Sequence, residues 1–168
     1  MLLMVKKFLR KINKMSEELL VKKLIEKKYT IGSVESLTAG LFTATLASVP
    51  GVSATLRGGL VTYASELKTS LAGVSKEVID AKGVVSKEVA KLMAEGGQKQ
   101  LSTNVVVSFT GNAGPSVLDN KKVGEVYMGF KIDDKDCIVI HHIFSGSRNE
   151  IREQAVQFAC EQLLKMLS

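Results

Sequence analysis

Three side chains in this sequence could carry acyl chemistry. Ser36 lies where a short β-branched run, Tyr29 to Val34, gives way to the helical pattern LTAGLFTATLASV. A serine at such a junction stands beside the unpaired N–H groups of Leu37, Thr38, Ala39 and Gly40, donors able to hold an oxyanion or a phosphate. An ordinary N-cap would occupy the same place. Tyr63 and Lys68, in YASELK, lie about one helical turn apart across the next strand-to-helix junction. If Ser65 caps that helix, Lys68 falls in its first turn, where the macrodipole pushes an ammonium pKa down. That suits a lysine that must be neutral part of the time to take a proton from a serine, with the tyrosine hydroxyl relaying it. A solvated lysine beside a core tyrosine fits the same spacing.

Other groups could bind and orient a substrate. TGNAGP, residues 110–115, follows the apolar run VVVSF as a glycine loop at the end where ligands bind in open α/β sheets, although an ordinary turn reads the same way. Gly146-Ser147-Arg148, at the start of the last helical pattern, brings a guanidinium to a helix N-terminus and could clamp a phosphate. His141 and His142 are adjacent in a strand, point to opposite faces and lack partners at metal-ligand spacing, so they read as structural. No metal or cofactor is expected.

The elements that must position these groups alternate. Residues 16–28 form a helix, with Ser16 as cap, acids in the first turn and lysines in the last. Strands are expected over Tyr29 to Val34, Gly58 to Ala64, Asn104 to Phe109, Val123 to Ile132 and Cys137 to Phe144, the last two joined by a turn at Asp133 and Asp134. Helices are expected over LTAGLFTATLASV, from near Ser65, and from Arg148 to Leu167. The repeated VSKEV, at 74–78 and 85–89, predicts two helix starts capped by Ser75 and Ser86. Early alternation with a late hairpin implies a mixed sheet between helical layers in one domain.

The 168 residues suit one domain, and their 45% apolar and 24% charged content is that of a folded chain. No apolar run approaches the roughly 20 residues that span a bilayer. Cys137 and Cys160 stand alone, which points to a reducing, cytoplasmic setting. The net charge of +6 is concentrated in residues 1–14, a basic amphipathic extension carrying five cations and no acid. It reads as a floppy arm ahead of a start at Met15, or as a surface-seeking helix. The nearly neutral remainder, with 5% aromatics and no tryptophan, gives no reason to expect nucleic-acid binding.

VESLTAG (34–40), RGGLVTYASELK (57–68), VSFTGNAGP (107–115), VGEVYMGF (123–130) and FSGSRNEIR (144–152) occur in order and resemble the CinA C-terminal domain family, whose stand-alone members include nicotinamide-nucleotide amidases. The resemblance covers about residues 16–167, and residues 15–168 are expected to be the amidase-like domain. It implies a three-layer α/β/α fold with a mixed sheet and a single domain. Larger relatives carry an N-terminal pyrophosphatase domain that this chain is expected to lack.

The resemblance further implies deamidation of nicotinamide mononucleotide to nicotinic acid mononucleotide and ammonia. The family's serine in E-S-C-T-G-G falls on Ser36, its tyrosine in V-T-Y on Tyr63 and its lysine in N-E-A-K on Lys68. It places Glu35, Thr38, Ala39, Gly40, Thr110, Gly111, Gly114 and Arg148 as the substrate-binding positions. Leu37 replaces the motif cysteine, Ala39 its first glycine, Asn112 the isoleucine of T-G-I-A-G-P and Ser147 the aspartate of G-D-R. The segment after Pro115 is SVLDNKKVG where the family is glycine-rich. The expected partner is a small nucleotide substrate, and a homodimer is possible. The rival reading is a non-catalytic nucleotide-binding or interaction module of the competence- and damage-inducible type.

Overall fold

The computed structural model describes residues 2–168, with side chains from Met15 onward. The side chains that would make residues 1–14 an amphipathic arm therefore lie outside those described. The elements are α1 (Leu2–Lys27), β1 (Ile31–Glu35), α2 (Leu41–Ala47), β2 (Leu56–Val61), α3 (Ser65–Ala72), α4 (Lys76–Lys82), α5 (Lys87–Leu101), β3 (Val105–Gly111), β4 (Glu125–Ile132), β5 (Ile138–Ile143) and α6 (Arg148–Leu167). The five strands run in the order β2-β1-β3-β4-β5; β1, β2 and β3 are parallel, and β4 and β5 return antiparallel. Helices α1, α2 and α6 cover one face, and α3, α4 and α5 the other. This is the expected three-layer mixed-sheet architecture.

The two cores follow from the alternation of side chains along a strand. Val105, Val107 and Phe109 of β3 face α1, α2 and α6, where they meet Leu20, Leu24, Phe42, Ile151 and Leu163. Val106 faces the other way, with Val34 of β1, toward Val89 and Met93 of α5. Close approach of α5 depends on Gly97, where an added Cβ would lie 2.2 Å from Val34 Cγ2. Ser75 and Ser86 cap α4 and α5 as the repeat predicts, each accepting from the backbone N–H three residues on.

Strand ends shift by a few residues, with β2 at Leu56–Val61 rather than 58–64 so that Tyr63 lies beyond the strand, and two helix starts also differ from the sequence reading. Helix α1 begins before residue 16, and α2 begins at Leu41 rather than at Leu37. Residues 36–40 form a turn in which Ala39 (φ 48°) and Gly40 (φ 93°) are both left-handed, so helical hydrogen bonding cannot start there.

Among the described residues, no helix is long and apolar enough to cross a membrane, and no cluster of His, Cys, Asp and Glu is arranged to hold a metal ion. Burial pushes the Cys137 thiol up to about 11 and raises that of Cys160 as well, so neither is a ready nucleophile.

Candidate active site

The C-terminal ends of the parallel strands bring the chemistry together. Glu35 pairs with Val61 on one side and Phe109 on the other, which sets the next residues, Ser36, Thr62 and Thr110, side by side across three strands. Thr62 N–H donates to the Glu35 carbonyl, and Ser36 N–H to the Phe109 carbonyl. From α3, one turn beyond Thr62, Lys68 reaches back: its Nζ lies 3.1 Å from Ser36 Oγ and 2.8 Å from the Thr62 carbonyl.

Lys68 is 1% exposed and Tyr63 is 55% exposed, the reverse of the alternative reading of that pair. Burial pushes the Lys68 ammonium down to about 8, with Glu66 opposing it weakly. The expected direction holds, but the dominant cause is desolvation rather than the helix dipole. Ala64, not Ser65, occupies the N-cap of α3 and offers no side-chain bond.

Tyr63 borders the same cleft as Ser36 but hydrogen-bonds to neither Ser36 nor Lys68. Its hydroxyl accepts from Arg148 Nη2 at 2.7 Å, while Arg148 Nη1 donates to the Gly114 carbonyl at 2.5 Å. Arg148 thus ties the end of β2 to the glycine loop. Ser36, Leu37, Tyr63, Gly111, Gly114 and Arg148 border one cleft of about 260 Å³. Ser147 stands where the family has aspartate and caps α6 in a capping box with Glu150.

Two positions expected to touch substrate, Glu35 and Thr110, have their side chains engaged within the fold. The Glu35 carboxylate is fully buried and accepts from the N–H groups of Gly40, Phe42 and Thr43 and from the hydroxyls of Ser33 and Thr43. It satisfies the open amides of α2 and has no lone pair to spare for a ligand. Thr110 Oγ1 donates to the Val84 carbonyl, whereas Thr38 is fully buried with its hydroxyl unpartnered among the described residues. Ala39 and Gly40 contribute backbone to the turn. Because αL geometry is unfavourable for alanine, Ala39→Gly is expected to stabilise the fold by roughly 0.5–1 kcal/mol, read as a higher denaturant midpoint at unchanged slope. An unchanged or lowered midpoint would show that Ala39 bears no strain.

The turn leaves the amides of Leu37 and Thr38 without a protein acceptor among the described residues. Their carbonyls are taken by Arg152 from α6, through Nε to Leu37 at 2.9 Å and Nη2 to Thr38 at 3.0 Å. Arg152 ends the FSGSRNEIR motif, yet the sequence assigns it no role of its own. Its place one turn after Arg148, on the same face, was the available signal. Asn112, which replaces the motif isoleucine, exchanges two hydrogen bonds with the Leu118 backbone and fixes the altered rim loop, a role its residue type alone did not reveal.

The CinA C-terminal domain matches residues 13–167. The chain belongs to this family. A competence-damage inducible protein of Lysinibacillus sphaericus is 45% identical over 147 residues, which is 88% of this chain but 35% of that protein. The chain thus spans about a third of the length of the curated relatives it matches. Among solved structures, a competence or damage-inducible protein from Enterobacter asburiae is similar with a TM-score of 0.90 at 25% identity, covering 93% of this chain and 98% of that one. A competence/damage inducible protein from Agrobacterium tumefaciens gives 0.89 at 28% identity, covering 93% and 96%. A CinA superfamily protein from Klebsiella pneumoniae, 22% identical with a TM-score of 0.89, shares the fold.

Proposed function

We propose that this CinA-type domain is a serine amidohydrolase that deamidates nicotinamide mononucleotide to nicotinic acid mononucleotide and ammonia. One observation carries the reading: a buried lysine, its pKa lowered to about 8, stands 3.1 Å from the hydroxyl of a serine that opens onto a cleft. A buried lysine held against a serine is costly to the fold and useful as a base.

In the reaction, Ser36 Oγ attacks the carboxamide carbon as its proton passes to neutral Lys68 Nζ. The oxyanion forms beside the Leu37 and Thr38 amides. Lys68 then returns the proton to the departing nitrogen, the C–N bond breaks, and ammonia leaves. Water, deprotonated by the same amine, hydrolyses the Ser36 ester. Because Lys68 contacts Ser36 directly, the proton needs no relay through Tyr63, which instead orients Arg148.

Arg148 is the candidate for the substrate phosphate. Lys121 and Lys122 are the other cations near the glycine loop, and Lys121 is turned toward Glu125 at 3.9 Å. Arg148→Ala is expected to raise KM for the nucleotide about 10- to 100-fold, the worth of a charge-assisted hydrogen bond, with a smaller effect on kcat. Nicotinamide riboside, which lacks the phosphate, should be little affected; equal losses for both compounds would reject this role.

The test of the proposal is incubation of the protein with nicotinamide mononucleotide and measurement of ammonia and acid product. Equal release of both is expected. Saturable binding without turnover would overturn it in favour of a nucleotide-binding module.

A further inference from the structure

Among the described residues, Arg152 is the cation that reaches the Ser36 turn from the far side. It projects from the first turns of α6, is half-buried, and presents its Nε/Nη2 edge to two consecutive carbonyls, Leu37 and Thr38. Nη1 is held by Asn149 Oδ1 at 3.1 Å, which fixes the plane of the fork. A trans peptide is planar, so a carbonyl pointed at α6 sends the N–H of the same peptide the opposite way. The Leu37 carbonyl and the Thr38 N–H belong to one peptide. A cation on the oxygen also draws electron density from the nitrogen, making that N–H a stronger donor.

We infer that Arg152 is a positioning residue for acyl transfer: its guanidinium orients and polarises the Leu37–Thr38 peptide, whose N–H stabilises the oxyanion formed when Ser36 attacks. The inference rests on the serine-nucleophile reading but not on the identity of the substrate. Lysine cannot replace the fork, because a single ammonium cannot bond both carbonyls in one plane.

The test uses a fluorophosphonate, which modifies an activated serine without any nicotinamide. Ser36 Oγ bonds to phosphorus, fluoride leaves, and the proton passes to Lys68. The modification rate is followed by intact mass, with Ser36→Ala as the blank. Arg152→Ala is expected to react roughly 10- to 100-fold more slowly, somewhat less than the loss of a whole oxyanion donor. Arg152→Lys should recover only part of the rate, and guanidinium at non-denaturing concentration should partly rescue Arg152→Ala where equal sodium chloride does not. Arg152→Gln, which keeps one donor and no charge, serves if the alanine variant fails to fold, and should be slowed likewise. With nicotinamide mononucleotide, kcat should fall while KM stays within about twofold.

Equal modification rates in Arg152→Ala and the unmodified protein overturn the inference, as does a slow variant that guanidinium leaves unrescued. If the unmodified protein reacts at Ser36 yet leaves the nucleotide intact, only the substrate assignment falls and the Arg152 comparison still decides. If Ser36 does not react at all, both fall.

Discussion

Lys68→Met is expected to remove the proposed turnover and to flatten the alkaline stability profile of the fold. Neutral Lys68 is the proposed base, so kcat/KM of the unmodified protein should climb about tenfold per pH unit and level off above about 8. Methionine fills similar space without a lone pair of comparable basicity, and kcat/KM should drop by at least about a thousandfold. Lys68→Arg should do the same, since a guanidinium stays protonated. Stability moves in the other direction. Lys68 releases its proton near 8 in the fold and at 10.5 in the unfolded chain. Below 8 both states are protonated and the fold carries a buried cation, at a cost of about 3 kcal/mol. Between 8 and 10.5 the unfolded chain binds the extra proton, so stability rises with pH, and above 10.5 it is level. Lys68→Met abolishes that rise. Losing the bonds to the Thr62 carbonyl and the Ser36 hydroxyl costs about 1–2 kcal/mol, which leaves a net gain of about 1–2 kcal/mol at pH 7. Calorimetry from pH 7 to 10.5 reads both effects, and a variant that melts lower at pH 7 while keeping the alkaline rise would refute the burial account.

Ser36→Ala should lower kcat by more than about ten thousandfold while moving Tm by only a few degrees. The turn survives because other groups hold it: Ser36 N–H bonds to Phe109, the Glu35 carboxylate gathers the amides at the start of α2, and Arg152 takes two carbonyls. Nucleotide affinity, measured by calorimetry, should be retained. Full turnover by a folded Ser36→Ala protein would remove the nucleophile from the mechanism.

The layers, the strand order of chemistry along the chain and the caps at Ser75 and Ser86 were legible because they depend on local periodicity and on residues three apart. The start of α2 was not. LTAG has helical composition, and the left-handed Ala39 and Gly40, with the Glu35 side chain returned onto Gly40, Phe42 and Thr43, show why the helix waits for Leu41. Lys68 and Tyr63 were found as a pair, but which of them is buried depends on how α3 packs on α5, a contact distant in sequence. The same reason hid Arg152: its partners lie 114 and 115 residues away.

The serine and its base belong to strands of unequal security. Ser36 follows β1, which is paired on both sides, whereas Lys68 is delivered by the chain leaving β2, an edge strand with β1 as its single neighbour. Edge strands detach at a lower free energy than interior ones, and such partial openings precede global unfolding. A β2 and α3 unit that swings away would carry off the base and leave the nucleophile in place. Heat inactivation would then begin while most of the sheet is intact, and amide exchange along β2 would set the upper temperature at which the site works.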